Sequence, residues 1–310
     1  MSAGELVLRP LADGEEEAVV ALYNRASQAM YGADETSVAE FRVWLTEPNV
    51  DVPRDIRVAE RAGELVGYAD VYDQNRTHTR YWFDIRVDPG RADEETARAL
   101  VAWAETRACE EREPGAFLRG FVPERAALVK TALEESGYAL IRHSYRMAID
   151  APTGAPDPEW PDGLVVRPMR EGEERAIYEV HEECFADHWE HVREPYEDWA
   201  HWTVNREGFD PSLWYVVTDG EEIAAYALCR EHDAETDMGW VDMLGTRGPW
   251  RRRGLGKALL HHVFREFESR GYARIGLGVD AESLTGANRL YGSVGMRVIR
   301  RFDVYEKTLP

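Results

Sequence analysis

The chain matches itself at one constant shift of 158 residues, and that repeat limits the folds open to it. Leu6-Val7-Leu8-Arg9-Pro10-Leu11-Ala12-Asp13-Gly14-Glu15-Glu16 lies over Leu164-Val165-Val166-Arg167-Pro168-Met169-Arg170-Glu171-Gly172-Glu173-Glu174, with seven of the eleven positions identical. The same shift carries Trp44 onto Trp202, Tyr68 onto Tyr226, Asp84 onto Asp242 and Gly137 onto Gly295. Solenoid repeats run only about 20–50 residues, so this period describes the tandem duplication of a whole domain. Between the copies, residues 151–163 are rich in Pro, Gly and Asp, and prolines that fix φ and remove N–H donors favour an extended linker. The expected organisation is a first domain over 1–150, a linker over 151–163 and a second domain over 164–310, in keeping with the ordinary size of domains.

Each copy reads as strand, helix, helix, then strands, helix, strand, helix, strand. In the first half the strand candidates fall near 5–9, 55–61, 64–72, 81–87, 116–121 and 141–149. In the second, the run 214–218, the turn pair Asp219-Gly220 and the run 223–228 read as a hairpin.

The stretch 251–260, Arg-Arg-Arg-Gly-Leu-Gly-Lys-Ala-Leu-Leu, carries the clearest chemistry. A strand candidate at 240–246 precedes it and an amphipathic helix over 257–270 follows. Gly254 and Gly256 let the backbone curl with its N–H groups facing inward. Such a turn at a helix start concentrates unpaired N–H donors and the positive end of the helix dipole, so the spacing predicts a phosphate-bearing ligand. It is neither a Walker A loop nor a dinucleotide GxGxxG, because position 259 is Leu and no Lys-Ser/Thr pair follows. A further strand candidate comes at 273–279, then a short helix over 286–294 with Asn288 and Tyr291, and a last strand from 297 to 305.

The order strand, Arg-x-x-Gly-x-Gly, helix, strand, short helix carrying Leu290-Tyr291-Gly292-Ser293-Val294-Gly295-Met296, strand resembles the GNAT superfamily of acyl-CoA-dependent N-acyltransferases. The tandem arrangement is similar to the group that includes mycothiol synthase and its relatives. The resemblance covers residues 164–310 in full. It implies an α/β (α+β) fold of two tandem GNAT-like domains, each a mixed, largely antiparallel, splayed sheet flanked by helices. It also implies acetyl-CoA as co-substrate, with no metal. On this likeness the backbone of Leu244, Gly245 and Thr246 pairs with the polar arm of acetyl-CoA beside a bulge. Arg251, Arg252, Arg253, Gly254, Leu255, Gly256 and Lys257 match the pyrophosphate loop, and Ser283 and Asn288 fall at further cofactor contacts. Ser283 departs from the Asn common in the family. Tyr291 matches the general acid that protonates the departing thiolate.

The base is less determined. Asp242 is the first candidate, sharing one strand face with Leu244 by simple alternation. Glu282, Glu190 and His188 are the alternatives, as is a water relay. In the segment 184–191, His188, Trp189 and Glu190 mix a charge partner and an aromatic surface suited to an amine, and they are expected to line the acceptor pocket. His188 and His191 stand i, i+3 but suggest no third metal ligand. His261 and His262 read as solvated helix surface.

The first copy reads as a degenerate one. Its loop carries Asp93-Glu94-Glu95 where the second has cations and glycines, and Leu133 stands at the place of Tyr291. Three scattered cysteines give no zinc spacing, no run of eighteen apolar residues spans a membrane, and the opening residues lack a secretory pattern, so a cytoplasmic protein is expected. The formal charge of −21 argues against nucleic acid as a partner. The reading is therefore an N-acetyltransferase acting on a small-molecule primary amine, as a monomer or homodimer. The alternatives are a non-catalytic acyl-CoA-binding or regulatory module and an acyltransferase for a protein amine.

Overall fold

The computed structural model describes residues 4–189, 191–206, 208–232, 237–283 and 285–310. The chain forms two compact units, one of Met1–Ser144 with Arg300–Pro310 and one of Tyr145–Ile299. No helix among the described residues is long and apolar enough to cross a membrane.

The first unit runs β1 (Leu6–Pro10), α1 (Glu16–Tyr31), α2 (Val38–Leu45), α3 (Val52–Asp55), β2 (Ile56–Arg61), β3 (Glu64–Asp73), β4 (Arg80–Val87), α4 (Glu94–Cys109), β5 (Phe117–Pro123), α5 (Ala127–Glu135) and the start of β6 (Ala139–Asp150). The second continues through β7 (Leu164–Pro168), α6 (Glu174–Phe185), α7 (Tyr196–Trp202), β8 (Trp214–Asp219), β9 (Glu222–Glu231), β10 (Met238–Thr246), α8 (Leu255–Ser269), β11 (Arg274–Asp280), α9 (Ala287–Ser293) and the start of β12 (Arg297–Thr308). Elements repeat at the 158-residue shift, and so does a local brace. Arg9 grips Glu15 with two hydrogen bonds of 2.7 and 2.6 Å, and Arg167 grips Glu173 at the same two distances. In both copies the strand-to-helix turn is held by this one bidentate pair.

In the first unit β1, β2, β3 and β4 are antiparallel neighbours, and β4 and β5 are parallel. The last neighbour is not β6. Residues 302–308 of β12 pair antiparallel with β5, from Phe302 opposite Pro123 to Thr308 opposite Phe117. Asp303, fully buried, fixes this strand through Lys130, His143 at 2.9 Å and Arg301 at 3.0 Å. Residues 145–150 of β6 lie beside β11 in the second unit. The two copies thus exchange their final strands, and residues 300–310 count with the first unit, not with the 164–310 block that the repeat outlines. The two strands stand at equivalent places of the repeat, so the repeat alone does not say which copy accepts which strand.

Residues 151–163 form no helix or strand and lie along the second unit's core. Ala155 and Trp160 pack on the second unit's core, Asp157 pairs with Arg265 at 3.0 Å, and Trp160 meets His262 edge-on at 6.2 Å. His262 also stands edge-on to Tyr215 at 4.7 Å, and His261 is buried. The histidine pair is therefore packed rather than solvated, because the connecting segment covers that side of α8.

The first unit buries Leu100, Val101, Ala104 and Leu118 between sheet and α4–α5, and Leu22, Phe41, Ile56 and Val58 beneath α1–α2. Under α1 lies a buried polar row. The Tyr68 hydroxyl donates to Asp70 at 2.8 Å, the Asp84 N–H donates to Asp70 at 3.1 Å, and the Tyr23 hydroxyl donates to Asp84 at 2.9 Å. Arg86 pairs with Asp84 and, at 3.4 Å, with Glu35. Burial and the neighbouring Asp84 push the Asp70 carboxyl up to about 8, against about 3.9 in an unfolded chain. The native state then holds a proton that the unfolded chain releases. This contribution is fully present below about pH 4 and is lost as pH rises towards 8. Asp70→Asn should flatten the fall in urea stability between pH 5 and pH 8; an unaltered slope would assign the dependence to another group.

Candidate active site

The second unit's sheet is split in the middle. β10 pairs in parallel with β11 only from Met238 opposite Arg274 to Val241 opposite Leu277. On its other side β10 stays paired with β9 up to Thr246, with a register shift between Val241 and Met243. Asp242 is the extra residue of this bulge. A bulge adds one residue and changes the phase of alternation. Val241 and Leu244 consequently both face the α8 core, while Met243 faces the α6–α7 core. Asp242 does not share Leu244's face. Its two oxygens hold the Arg230 Nε at 3.0 and 2.9 Å, and Arg230 stands opposite Trp240.

Beyond the break, β10 lines an open cleft of about 790 Å³. Leu244, Gly245 and Thr246 form one wall, and Arg251, Arg252 and Gly254 with Leu255, Gly256 and Lys257 at the start of α8 form another, while Arg253 is not among the described lining residues. Leu290 and Tyr291 from α9 and Cys184, Phe185, Asp187 and His188 from the end of α6 complete it. Tyr291 is almost fully buried, and burial pushes its phenol up to about 12, so it keeps its proton at neutral pH. The Cys184 thiol is pushed up to about 12 by burial and by Glu183, so it is no nucleophile at neutral pH.

The turn before α8 leaves its helix start uncapped. Arg252 (φ 61°) and Gly254 (φ 87°) both adopt left-handed backbone, which aims successive N–H groups inward. Gly254 is the N-cap and no side chain caps the helix. The first-turn N–H groups of Leu255, Gly256 and Lys257 therefore stay open. Among the described residues Arg252, Arg253 and Lys257 have no ion-pair partner. Arg251 differs. Its guanidinium donates to the Thr246 carbonyl at 3.1 Å, the Cys184 carbonyl at 3.2 Å and Asp187 at 3.2 Å. It ties the loop to β10 and to the end of α6.

The corresponding helix of the first unit is closed. Asp93 caps α4 by accepting from the Thr96 N–H at 3.0 Å and hydroxyl at 2.9 Å, and Arg61 pairs with Asp93 and Glu95. The protein's own carboxylate occupies the place where α8 is open.

Other residues singled out in the sequence lie elsewhere. Asn288 gives its amide N–H groups to the carbonyls of Asp280 (2.9 Å) and Ala281 (2.8 Å), so it shapes the end of β11. Ser283 is hydrogen-bonded to Thr285 at 2.9 Å, and Thr285 is the one of the two on the cleft wall. Glu282 is exposed and its N–H donates to Asp280. His188 lines the cleft; Trp189, half-buried, is not among the described lining residues, and Glu190 lies outside the described residues. Sequence reasoning missed Phe185, Cys184, Thr285 and Leu290 as wall residues. Cys184 and Phe185 belong to the segment 184–191 expected on the acceptor side and Leu290 to the motif around Tyr291, but their own side chains had been given no role.

Comparison with known proteins gives this arrangement its family. Residues 174–296 match the profile of the acetyltransferase (GNAT) family. The chain is 30% identical to a mycothiol acetyltransferase of Beutenbergia cavernae over 77% of this chain and 78% of the relative. It is 27% identical to one of Streptomyces bingchenggensis, over 81% and 78%. A GCN5-related N-acetyltransferase from Sphaerobacter thermophilus superimposes with a TM-score of 0.81 at 28% identity, covering 98% of this chain and 96% of that one. A tandem GNAT protein from the clavulanic acid biosynthesis pathway shares the fold, with a TM-score of 0.71 at 16% identity over 99% of both chains. The molecule is thus a transferase built from tandem GNAT domains. It belongs to the GNAT acetyltransferase family and is an acetyltransferase.

Gly245 is a sensitive point of the cleft wall. A Cβ there would stand 2.4 Å from the Tyr226 ring, which is fully buried and has no room to retreat. Gly245→Ala should lower stability by about 1–3 kcal/mol in urea denaturation. Gly248→Ala, where a Cβ meets nothing within 4 Å, should leave it nearly unchanged. Equal midpoints for the two variants would refute the close fit.

Proposed function

We propose that the second unit binds acetyl-CoA in this cleft and passes the acetyl group directly to the primary amine of a small molecule. The observation that carries the reading is the open N-terminus of α8 beside a self-capped α4. The N–H groups of residues 254–257, with Arg252, Arg253 and Lys257, suit a pyrophosphate. The freed edge of Leu244, Gly245 and Thr246 suits a polar, extended arm, which would add to β10 as a strand does. A backbone N–H of this segment would stabilise the oxyanion of the tetrahedral intermediate. Tyr291, protonated and lining the same cleft, is the donor for the leaving thiolate. With Cys184 held as a thiol, transfer goes by direct attack rather than through an acyl-cysteine. His188, at the α6 end of the cleft, belongs to the acceptor side together with Trp189 and Glu190. The net charge of −21 favours a cationic acceptor.

One acetyl-CoA should bind per chain. In calorimetric titration Gly254→Glu, which places a carboxylate in the anion turn, is expected to abolish binding, and Asp93→Ala to leave the stoichiometry at one. Two sites per chain, or binding undiminished by Gly254→Glu, would refute the assignment. Tyr291→Phe should keep acetyl-CoA affinity and lower turnover by about 10²–10⁴-fold; turnover matching wild type across pH would remove Tyr291 from the acid's role.

A further inference from the structure

The helix α6 ends at Phe185 without closing itself. Its last turn holds no basic residue, and Ala186 stays in right-handed backbone (φ −52°). The matching helix of the first copy, α1, ends on a left-handed Gly32 whose N–H donates to the Gln28 carbonyl at 2.9 Å. The last carbonyls of a helix and the negative end of its dipole call for donors and cations. For α6 these come from the loop between β10 and α8. The Arg251 Nη2 donates to the Cys184 carbonyl at 3.2 Å and Nη1 to Asp187 at 3.2 Å, while Nε donates to the Thr246 carbonyl at 3.1 Å. Arg247, from the same loop, holds Glu183 at 2.7 Å.

Every nitrogen of the Arg251 guanidinium is engaged, and the planar fork fixes the three acceptors relative to one another. All three anchors belong to cleft-lining residues, as does Arg251 itself. Thr246 stands on the freed strand edge, and Cys184 and Asp187 stand at the α6 end. One side chain therefore joins three parts of the cleft that are distant in sequence: residues 244–246, the turn before α8 and the end of α6. In the first copy Asp93 stands at the place of Arg251, and it caps α4 instead.

We infer that Arg251 is a positioning residue that carries occupancy of the cofactor cleft to the acceptor wall. The inference rests on the acetyl-CoA reading of the cleft. A cofactor whose arm adds to residues 244–246 and whose pyrophosphate sits on the turn immobilises Thr246 and the Arg251 backbone together. The guanidinium then holds the Cys184 carbonyl and Asp187 against a fixed frame. The end of α6, with Phe185 and the His188 that follows, loses freedom although the phosphates do not touch it. The entropy of ordering that wall is lost when the cofactor binds and not again when the amine arrives, so the loaded protein takes the acceptor more tightly. In this role the three bond directions of Arg251 matter, and its charge alone does not suffice.

Amide hydrogen exchange over residues 181–188, measured with and without saturating acetyl-CoA beside a calorimetric titration, tests this. In wild type the cofactor is expected to slow exchange there by about tenfold. Arg251→Lys keeps the charge, but an ammonium cannot span three acceptors in one plane. Its acetyl-CoA affinity should match wild type while the slowing is lost. Arg252→Gln removes a neighbouring cation and leaves the brace, so the slowing should persist at saturation. Asp187→Ala removes an exposed side chain and one of the three bonds, and it should keep only part of the slowing. That variant carries the test if Arg251→Lys does not fold. The proposal is overturned by wild type that binds acetyl-CoA without slowing, by undiminished slowing in Arg251→Lys or Asp187→Ala, or by slowing lost in saturated Arg252→Gln. A folded Arg251→Lys protein that no longer binds acetyl-CoA overturns it too, since Arg251 would then be a phosphate ligand. Wild type that shows no calorimetric binding of acetyl-CoA overturns the cofactor reading itself, and this inference with it.

Discussion

The structure of the second unit depends on one interruption of backbone pairing. β10 and β11 stop bonding after Val241 and Leu277 while β10 remains tied to β9. Unpaired backbone N–H and C=O groups inside a sheet are costly unless another partner meets them. In the first unit β4 and β5 likewise stop bonding after Phe83 and Gly120; what the second unit adds is the bulge at Asp242. The extra residue is fixed by Arg230, and Leu244 is brought round to the α8 core. The first unit has Asp84 at the matching place and no such shift, for β3 and β4 pair without interruption from Gly67 opposite Val87 to Asp73 opposite Tyr81. There the carboxylate turns inward to Tyr23 and Arg86.

The second difference between the copies is electrostatic and equally local. A helix start offers several N–H donors that something must satisfy. In α4 the Asp93 carboxylate does so, and Arg61 neutralises it. In α8 the N-cap is a glycine and the surrounding side chains are cationic, so the donors and the dipole are left for an outside anion. One ancestral frame thus carries a closed helix start in one half and an open one in the other. Arg251 adds a coupling within the second unit. By holding the carbonyls of Thr246 and Cys184 together, it fixes the distance between the strand that would receive the acyl arm and the helix end on the acceptor side.

The duplication, the strand and helix order and the glycine turn before α8 were legible in the sequence because each is encoded by neighbours along the chain. Glycine spacing sets left-handed backbone, alternation sets strands, and a carboxylate at position 93 or its lack at 254 decides a cap. The phase of Asp242 was not legible, since a bulge breaks the alternation used to read it. Neither was the part played by Arg251, which looks like a phosphate ligand in sequence and is a brace in the fold. His261 and His262 read as surface until residues 151–163 were found lying along α8.

By itself the sequence determined that two copies of one α/β domain exist and that their residues differ before the helix after the fourth strand, acidic in the first and glycine-rich and cationic in the second. Tertiary structure decided which copy takes each final strand, where the sheet opens and which side chains face the opening. The physical reason is that backbone conformation and helix capping are set by residues within a few positions of one another. Strand partners, desolvation and the direction of a guanidinium or imidazole are set by whatever the fold brings alongside.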